Sequence, residues 1–264
     1  MYPTNYHKAS SIKDAVAALS AGEDAQVLAG GQTLIATMKQ RLAAPSDLVD
    51  IRAIPGMSGV SSDGSTLTIG AATTHAEVAA NGDVAALCPA LAALAGGIGD
   101  PAVRHQGTIG GSLANNDPAA DYPAAILALG ATIETNRREI AADDFFDGLF
   151  ETALEEGEIV TSVKIPAPNH AGYAKFAQPA SRFALVGVFV ANTRDGARVA
   201  VTGAGENGVY RHAALEAALS ADWSADAAGG VSASADGLMS DIHASAAYRA
   251  HLVGVMAKRA VAAA

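Results

Sequence analysis

Cys88 is the only cysteine in 264 residues. A single thiol cannot close an internal disulfide, hold an iron–sulfur cluster by itself or build a cysteine zinc site. It has no basic neighbour in sequence and Pro89 follows it, which suits a buried, inert thiol. Aromatic residues make up only 5% of the chain although half of it is apolar, much of that alanine. The expected core is therefore built from small side chains. No window approaches the roughly 18 uninterrupted apolar residues of a membrane helix. The N-terminal "MYPTNYHKAS" has no apolar signal core, so a soluble, cytoplasmic protein without a membrane span is expected. Positive charge is also scarce: 17 Lys and Arg face 27 Asp and Glu, a formal charge of −10. Such a field repels phosphate backbones and argues against a nucleic-acid partner. A phosphate-bearing small ligand would have to be held by local backbone donors.

Hydrolytic and metal chemistry also lack their signatures. The seven histidines (7, 75, 105, 170, 212, 243 and 251) form no H-x-x-x-H or H-E-x-x-H pair. No G-x-S-x-G elbow occurs. Asp143-Asp144 and Glu155-Glu156 are adjacent in sequence, so their carboxylates diverge and read as solvated. Arg104 and Arg182 are equally open to a structural or an interface role.

The patterning predicts an α+β fold. "SSIKDAVAALSAGED" spaces Ile12, Val16 and Leu19 on one helical face, with Ser11 as N-cap and Gly22 as stop. A short strand "AQVLA", a glycine turn, a helix carrying Leu34, Ile35, Met38 and Leu42, and a strand "PSDLVDI" form a β–turn–α–β unit. "STLTIGAA" alternates as a strand, and Thr74 with Glu77 matches a capping box. An alanine-rich helix is expected through residues 84–96, and a strand at "EIVTSVKIPAP". From about residue 170, "YAKFAQ", "FALVGVFVAN" and "ARVAVTGAG" read as sheet, followed by helices around 211–219 and 243–261. "SADAAGGVSASADG" reads as a loop. These shifts divide the chain into 1–56, 57–167 and 168–264, with the last boundary at the prolines of 166 and 168.

Two loops carry chemistry. "AGGQTL" and "TIGGSL" each place Gly-Gly at a strand end before a helical pattern. Glycine permits φ > 0 and lets successive N–H groups turn inward as an anion-binding concavity, and hydroxyls of Thr33, Thr108 and Ser112 could complete it. Either loop alone is equally what an ordinary tight turn looks like. The second continues as "ANNDPAADYPA", where Asn115, Asn116, Asp117 and Asp121 could cap turns and the next helix, or accept hydrogen bonds from a sugar alcohol. A literal G-x-G-x-x-G at Gly203, Gly205 and Gly208 lacks the following parallel strand with a terminal acid, so it reads as a loop.

"LAGGQTLIATMKQRLAAPSDLVDI" together with "VRHQGTIGGSLANNDPAADYPA" resembles the FAD-binding (medium) subunit of the molybdenum hydroxylase, or xanthine dehydrogenase, family, closest to the medium chain of aerobic carbon monoxide dehydrogenase-type enzymes. "IVTSVKIP" and "SDIHASAAYRAHLVGVMAKRAV" extend the resemblance over nearly the whole chain. It implies a two-part FAD-binding domain, a small β-α-β unit plus a larger α+β subdomain. A C-terminal α+β domain with an antiparallel sheet and helices follows. It further implies that FAD pyrophosphate is held by Ala29, Gly30, Gly31, Gln32, Thr33 and Leu34 of one loop and by Thr108, Gly110, Gly111, Ser112 and Asn115 of the other. By the same resemblance Asp121 contacts the ribityl chain or neighbouring polar groups. Ile98 and Val160 line the cofactor, Lys175 lies near the flavin ring, and Phe183 stands where many relatives carry an aromatic. Phe in place of Tyr there removes a hydroxyl, and His105 stands where Asn is frequent.

In that family a large subunit carries molybdopterin and a small subunit two 2Fe-2S clusters. The resemblance thus implies an electron-transfer subunit without catalytic side chains of its own. Its expected setting is a dimer of heterotrimers, delivering electrons to an external acceptor. A stand-alone FAD-dependent oxidoreductase and a non-enzymatic nucleotide-binding module are the alternatives. Neither needs the C-terminal resemblance.

Overall fold

The computed structural model describes all 264 residues. Three sheets follow one another along the chain. The first is built from β1 (Asn5–Lys8), β2 (Ala25–Leu28) and β3 (Asp47–Asp50), in parallel and in the order β1-β3-β2. Parallel neighbours need crossovers, and the helices Ile12–Ala21 and Leu34–Lys39 supply them. Ser11 caps the first, accepting from Asp14 N, and Gly22 ends it. β1 itself was not expected from the sequence. All four of its residues are exposed on the sheet edge, so it carries no apolar alternation.

The second sheet contains β4 (Val60–Ser62), β5 (Thr66–Gly70), β6 (Thr132–Thr135), β7 (Glu139–Ala141) and β8 (Val160–Pro166). It is antiparallel, in the order β4-β5-β8-β6-β7. Leu67 and Ile69 point inward from β5 and are fully buried. Helices bracketed by β5 and β6 cover this sheet. The first, His75–Ala80, opens with the expected capping box of Thr74 and Glu77. The single helix expected through 84–96 is instead two, Gly82–Leu87 and Pro89–Gly96. Pro89 has no N–H to continue the first helix, and it is well suited to start the second. Cys88 at the break is non-helical (φ −148°, ψ 75°). It is buried, and burial pushes its thiol up to about 11.

The third sheet, β9 (His170–Ala177), β10 (Ala184–Thr193), β11 (Gly196–Thr202) and β12 (Tyr210–Arg211), is antiparallel in the order β12-β11-β10-β9. The 17-residue helix Ala246–Ala262 packs on it and closes a separate core that includes Val188, Val199, Leu215 and Met256. The expected loop at 224–237 contains a one-turn helix, Ala225–Gly229, whose N-cap Ser224 accepts from Ala227 N. The larger core joins all three sheets: Val49 from the first, Leu67 and Val163 from the second, and Phe189 from the third belong to it. The overall class is thus the expected α+β, with helices, one small parallel sheet and two antiparallel sheets. No helix is long and apolar enough to cross a membrane.

Candidate functional site

The first glycine loop leaves β2 and enters the helix Leu34–Lys39. Gly31 turns the chain with φ +68°, a conformation costly for any residue with a Cβ. Gly30 has a different reason. A Cβ there would overlap the carbonyl oxygen of Gln106 and lie 2.7 Å from Gly107 Cα, so the loop's backbone rests directly on the second loop's approach. The backbone amides of Gly30, Gly31, Gln32, Thr33 and Leu34 donate to nothing within the chain. The first amide to do so is Ile35, which bonds Gly31 O at 3.1 Å. Five consecutive donors are thus without a partner in the chain, on residues that all line one cleft.

The second loop is built otherwise. Thr108 caps the helix Ile109–Asn115. Its Oγ1 accepts from Gly111 N at 3.1 Å, and its carbonyl accepts from Ser112 N at 3.0 Å. Ile109 N and Gly110 N bond Thr73 O and Ala71 O at 3.1 and 2.8 Å. The expectation of two equivalent amide concavities therefore fails. In this loop the amides from 109 to 112 are already satisfied, and what remains for a ligand are the hydroxyls of Thr108 and Ser112 and the Asn115 amide. The two loops do meet, since a Cβ on Gly111 would sit 3.9 Å from Ala29 Cβ.

Between them opens a cleft of about 660 Å3, within the size range of small-molecule sites. It is lined by every residue that the resemblance assigns to the cofactor except Lys175: Ala29, Gly30, Gly31, Gln32, Thr33, Leu34, Ile98, Thr108, Gly110, Gly111, Ser112, Asn115, Asp121, Val160 and Phe183. Lys175 stands behind the wall, its Nζ 2.9 Å from Asp121 Oδ1 and 3.1 Å from Gly97 O. Asp121 precedes the helix Tyr122–Ala128 but does not cap it, contrary to one of its sequence readings; its carboxylate is turned to β9 instead. Asp117 does serve a turn, accepting from Ala119 N at 2.8 Å. Arg104 donates to the carbonyls of Ile98 and Gly99, and Arg182 to Gly99 O, so both pin the turn that carries Ile98. His105 bonds Pro101 O within its own short helix.

Several lining residues escaped the sequence reading. His75 is 6% exposed, with Nδ1 unpartnered, and a Cβ on Gly107 would fall 2.6 Å from its Nε2. Burial, then the nearby Arg104 charge, lowers its pKa to about 4, so the imidazole is neutral at pH 7. Leu154, Ile159 and Phe150 close the far wall. Phe150 is held with φ +58° in a loop that Asn116 grips, its Nδ2 donating to Gly148 O and Glu151 O at 2.9 and 2.7 Å. These residues lie more than thirty positions from the motifs they join, and no local pattern marks them. The G-x-G-x-x-G at 203–208, by contrast, lies outside the cleft: it connects the antiparallel strands β11 and β12, and Gly203 backs onto the carbonyl of Ala184. No group of three His, Cys, Asp or Glu residues could hold a metal ion.

Residues 2–168, which contain both loops and the cleft, match the family model described as the FAD binding domain in molybdopterin dehydrogenase. The chain belongs to this family. Its similarity to medium subunits runs further, over almost the full length. It is 37% identical to the nicotine 6-hydroxylase medium subunit of Paenarthrobacter nicotinovorans, across 97% of this chain and 95% of that one. It is 36% identical, over the same shares, to the carbon monoxide dehydrogenase medium chain of Afipia carboxidovorans. Among solved structures, carbon monoxide dehydrogenase from Hydrogenophaga pseudoflava superposes with a TM-score of 0.87 at 35% identity, covering 100% of this chain and 98% of that one. The chain is thus a carbon monoxide dehydrogenase-like medium subunit, an FAD-binding component of molybdopterin-type oxidoreductases. The residues present fit that cofactor: a run of unsatisfied amides suits a pyrophosphate, and the cleft beside it is largely apolar at Ile98, Leu154 and Val160.

Proposed function

We propose that FAD lies across this cleft with its pyrophosphate on the amides of Gly30 to Leu34, flanked by the hydroxyls of Thr108 and Ser112. The observation that carries this reading is the run of five unpartnered amides at the mouth of a cleft inside the family-matched region. In an acidic protein those donors hold a diphosphate without a basic cluster. Asp121 accepts from hydroxyls of the cofactor's polar chain, and Asn115 accepts from or donates to it. Ile98, Val160 and Phe183 shield its ring, and Lys175 acts on the ring's surroundings through Asp121. The flavin, when bound, supplies the electron transfer.

The chain serves as the electron-transfer subunit of a heteromeric enzyme. It receives electrons from a small 2Fe-2S subunit beside a large molybdopterin subunit, in a dimer of heterotrimers, and passes them to an external acceptor. The names "medium subunit" and "medium chain" of its relatives support such partners, and the lone Cys88 leaves cluster ligation to another chain. The family match ending at residue 168 supports the division at 167/168, and the first sheet's separate order supports the one near 56. The test is to purify the chain and record its visible spectrum. An oxidised-flavin spectrum with FAD released on denaturation is expected, without substrate turnover by the isolated chain. A colourless protein that FAD cannot reconstitute would overturn the reading.

A further inference from the structure

Asp121 is 4% exposed and finds both its charged partner and its strongest donor on one strand. Tyr173 and Lys175, two residues apart on β9, project to the same face. The Tyr173 hydroxyl donates to Asp121 Oδ1 at 2.5 Å, while Lys175 Nζ lies 2.9 Å from Oδ1 and 3.1 Å from Oδ2. Tyr173 is itself packed beneath the cleft against Phe189, ring centres 6.0 Å apart, and burial pushes its own pKa well up, so it remains a donor. It does not line the cleft; Asp121 does. The other groups around the carboxylate are few. Tyr122 follows it on the helix, with its ring 5.3 Å from the neutral His75. Arg104 and Arg182 are spent on the Ile98 and Gly99 carbonyls, beside the Gly97 carbonyl that takes Lys175.

We propose that Tyr173 is a positioning residue for the cofactor: its hydroxyl fixes the Asp121 carboxylate in the cleft wall, with Lys175 as counter-charge. This rests on the reading that FAD occupies the cleft. A carboxylate accepts a hydrogen bond from a ligand hydroxyl far better than its protonated form does. Burial raises the Asp121 carboxyl above its ordinary value, against the Lys175 charge and the Tyr173 hydrogen bond that pull it down, so its charge depends on both partners. Removing one donor from a buried carboxylate raises its titration further. Tyr173 thereby sets the lower pH limit of cofactor binding without touching the cofactor.

The test is fluorescence titration of the flavin-depleted full chain with FAD from pH 5 to 8.5, for the wild type, Tyr173→Phe and Asp121→Asn. Tyr173→Phe is expected to match the wild-type Kd within about threefold at pH 8.5. Its acid-side loss of affinity should begin at higher pH than in the wild type. Asp121→Asn should bind more weakly throughout and lose the acid dependence. A purely structural Tyr173 would shift the Kd by one factor at every pH, so parallel curves overturn the proposal. If Tyr173→Phe does not fold, Asp121→Asn decides: a flat profile supports the proposal and a retained acid limb overturns it. A wild-type chain that binds no FAD at any pH overturns the proposed function first, and this inference with it.

Discussion

Substituting Gly30 by alanine adds one methyl group at the point where the two loops touch. The new Cβ would overlap the Gln106 carbonyl oxygen and stand 2.7 Å from Gly107 Cα. Both obstacles are backbone, so no rotamer change relieves the contact and the Ala29–Thr33 loop must move away. Overpacking of this kind costs about 1–3 kcal/mol, which for a chain of this size lowers Tm by roughly 2–10 °C. The larger effect falls on binding, because the displaced loop carries the five free amides. Losing even one well-aligned hydrogen bond to a charged oxygen costs about 1.5–3 kcal/mol, or roughly ten- to a hundredfold in Kd. Isothermal titration of flavin-depleted protein with FAD, beside a melting curve, measures both. Gly64→Ala is the control: its φ is positive (+89°), unlike that of Gly30, but nothing lies within 4 Å of its added Cβ and it does not line the cleft. It should cost a little stability and leave the Kd unchanged. A Gly30→Ala protein with wild-type FAD affinity would refute the argument that the backbone contact with Gln106 aligns the donors.

Two further expectations follow from buried chemistry away from the loops. Cys88, raised to about 11 by burial, should resist thiol reagents in the native protein at pH 8 and react fully only in denaturant, as a colorimetric thiol assay would read; fast native labelling would contradict its burial. Glu158 is held down to about 2, first by its hydrogen bonds from Arg138, with further donors in Glu155 N and Thr135. Its folded value lies below the unfolded one, so it stabilises above about 4.5 and that contribution fades as pH falls toward about 2. Urea midpoints of wild type and Glu158→Gln should accordingly differ at pH 7 and converge at the acid end; a gap that stays constant would show that charge is not the cause.

Local rules explain much of what the sequence disclosed. The Ser11 cap, the Thr74–Glu77 capping box and the inward alternation of Leu67 and Ile69 depend on residues within a few positions, so pattern reading finds them. Even the break at Cys88 was locally encoded, because Pro89 lacks the N–H that a continuous helix over 84–96 would need; alanine-rich periodicity masked it. β1 stayed hidden for the opposite reason: an exposed edge strand needs only a neighbour to pair with, and that neighbour, β3, comes forty residues later. The position of both Gly-Gly loops was legible, and so was somewhat less than half of the cleft lining, 15 of its 34 residues. Their different roles were not. Whether an amide is free depends on which carbonyls accept from it, and Ala71 and Thr73 are brought to the second loop by the path of β5, while no carbonyl accepts from the amides of Gly30 to Leu34 in the first. Lys175 reaches Asp121 across 54 residues and Gly97 across 78. The sequence by itself thus determined where the chain can turn, cap and bury apolar faces. Only the tertiary structure decided which of two similar loops keeps its donors for a ligand, since hydrogen-bond satisfaction is settled by long-range contacts.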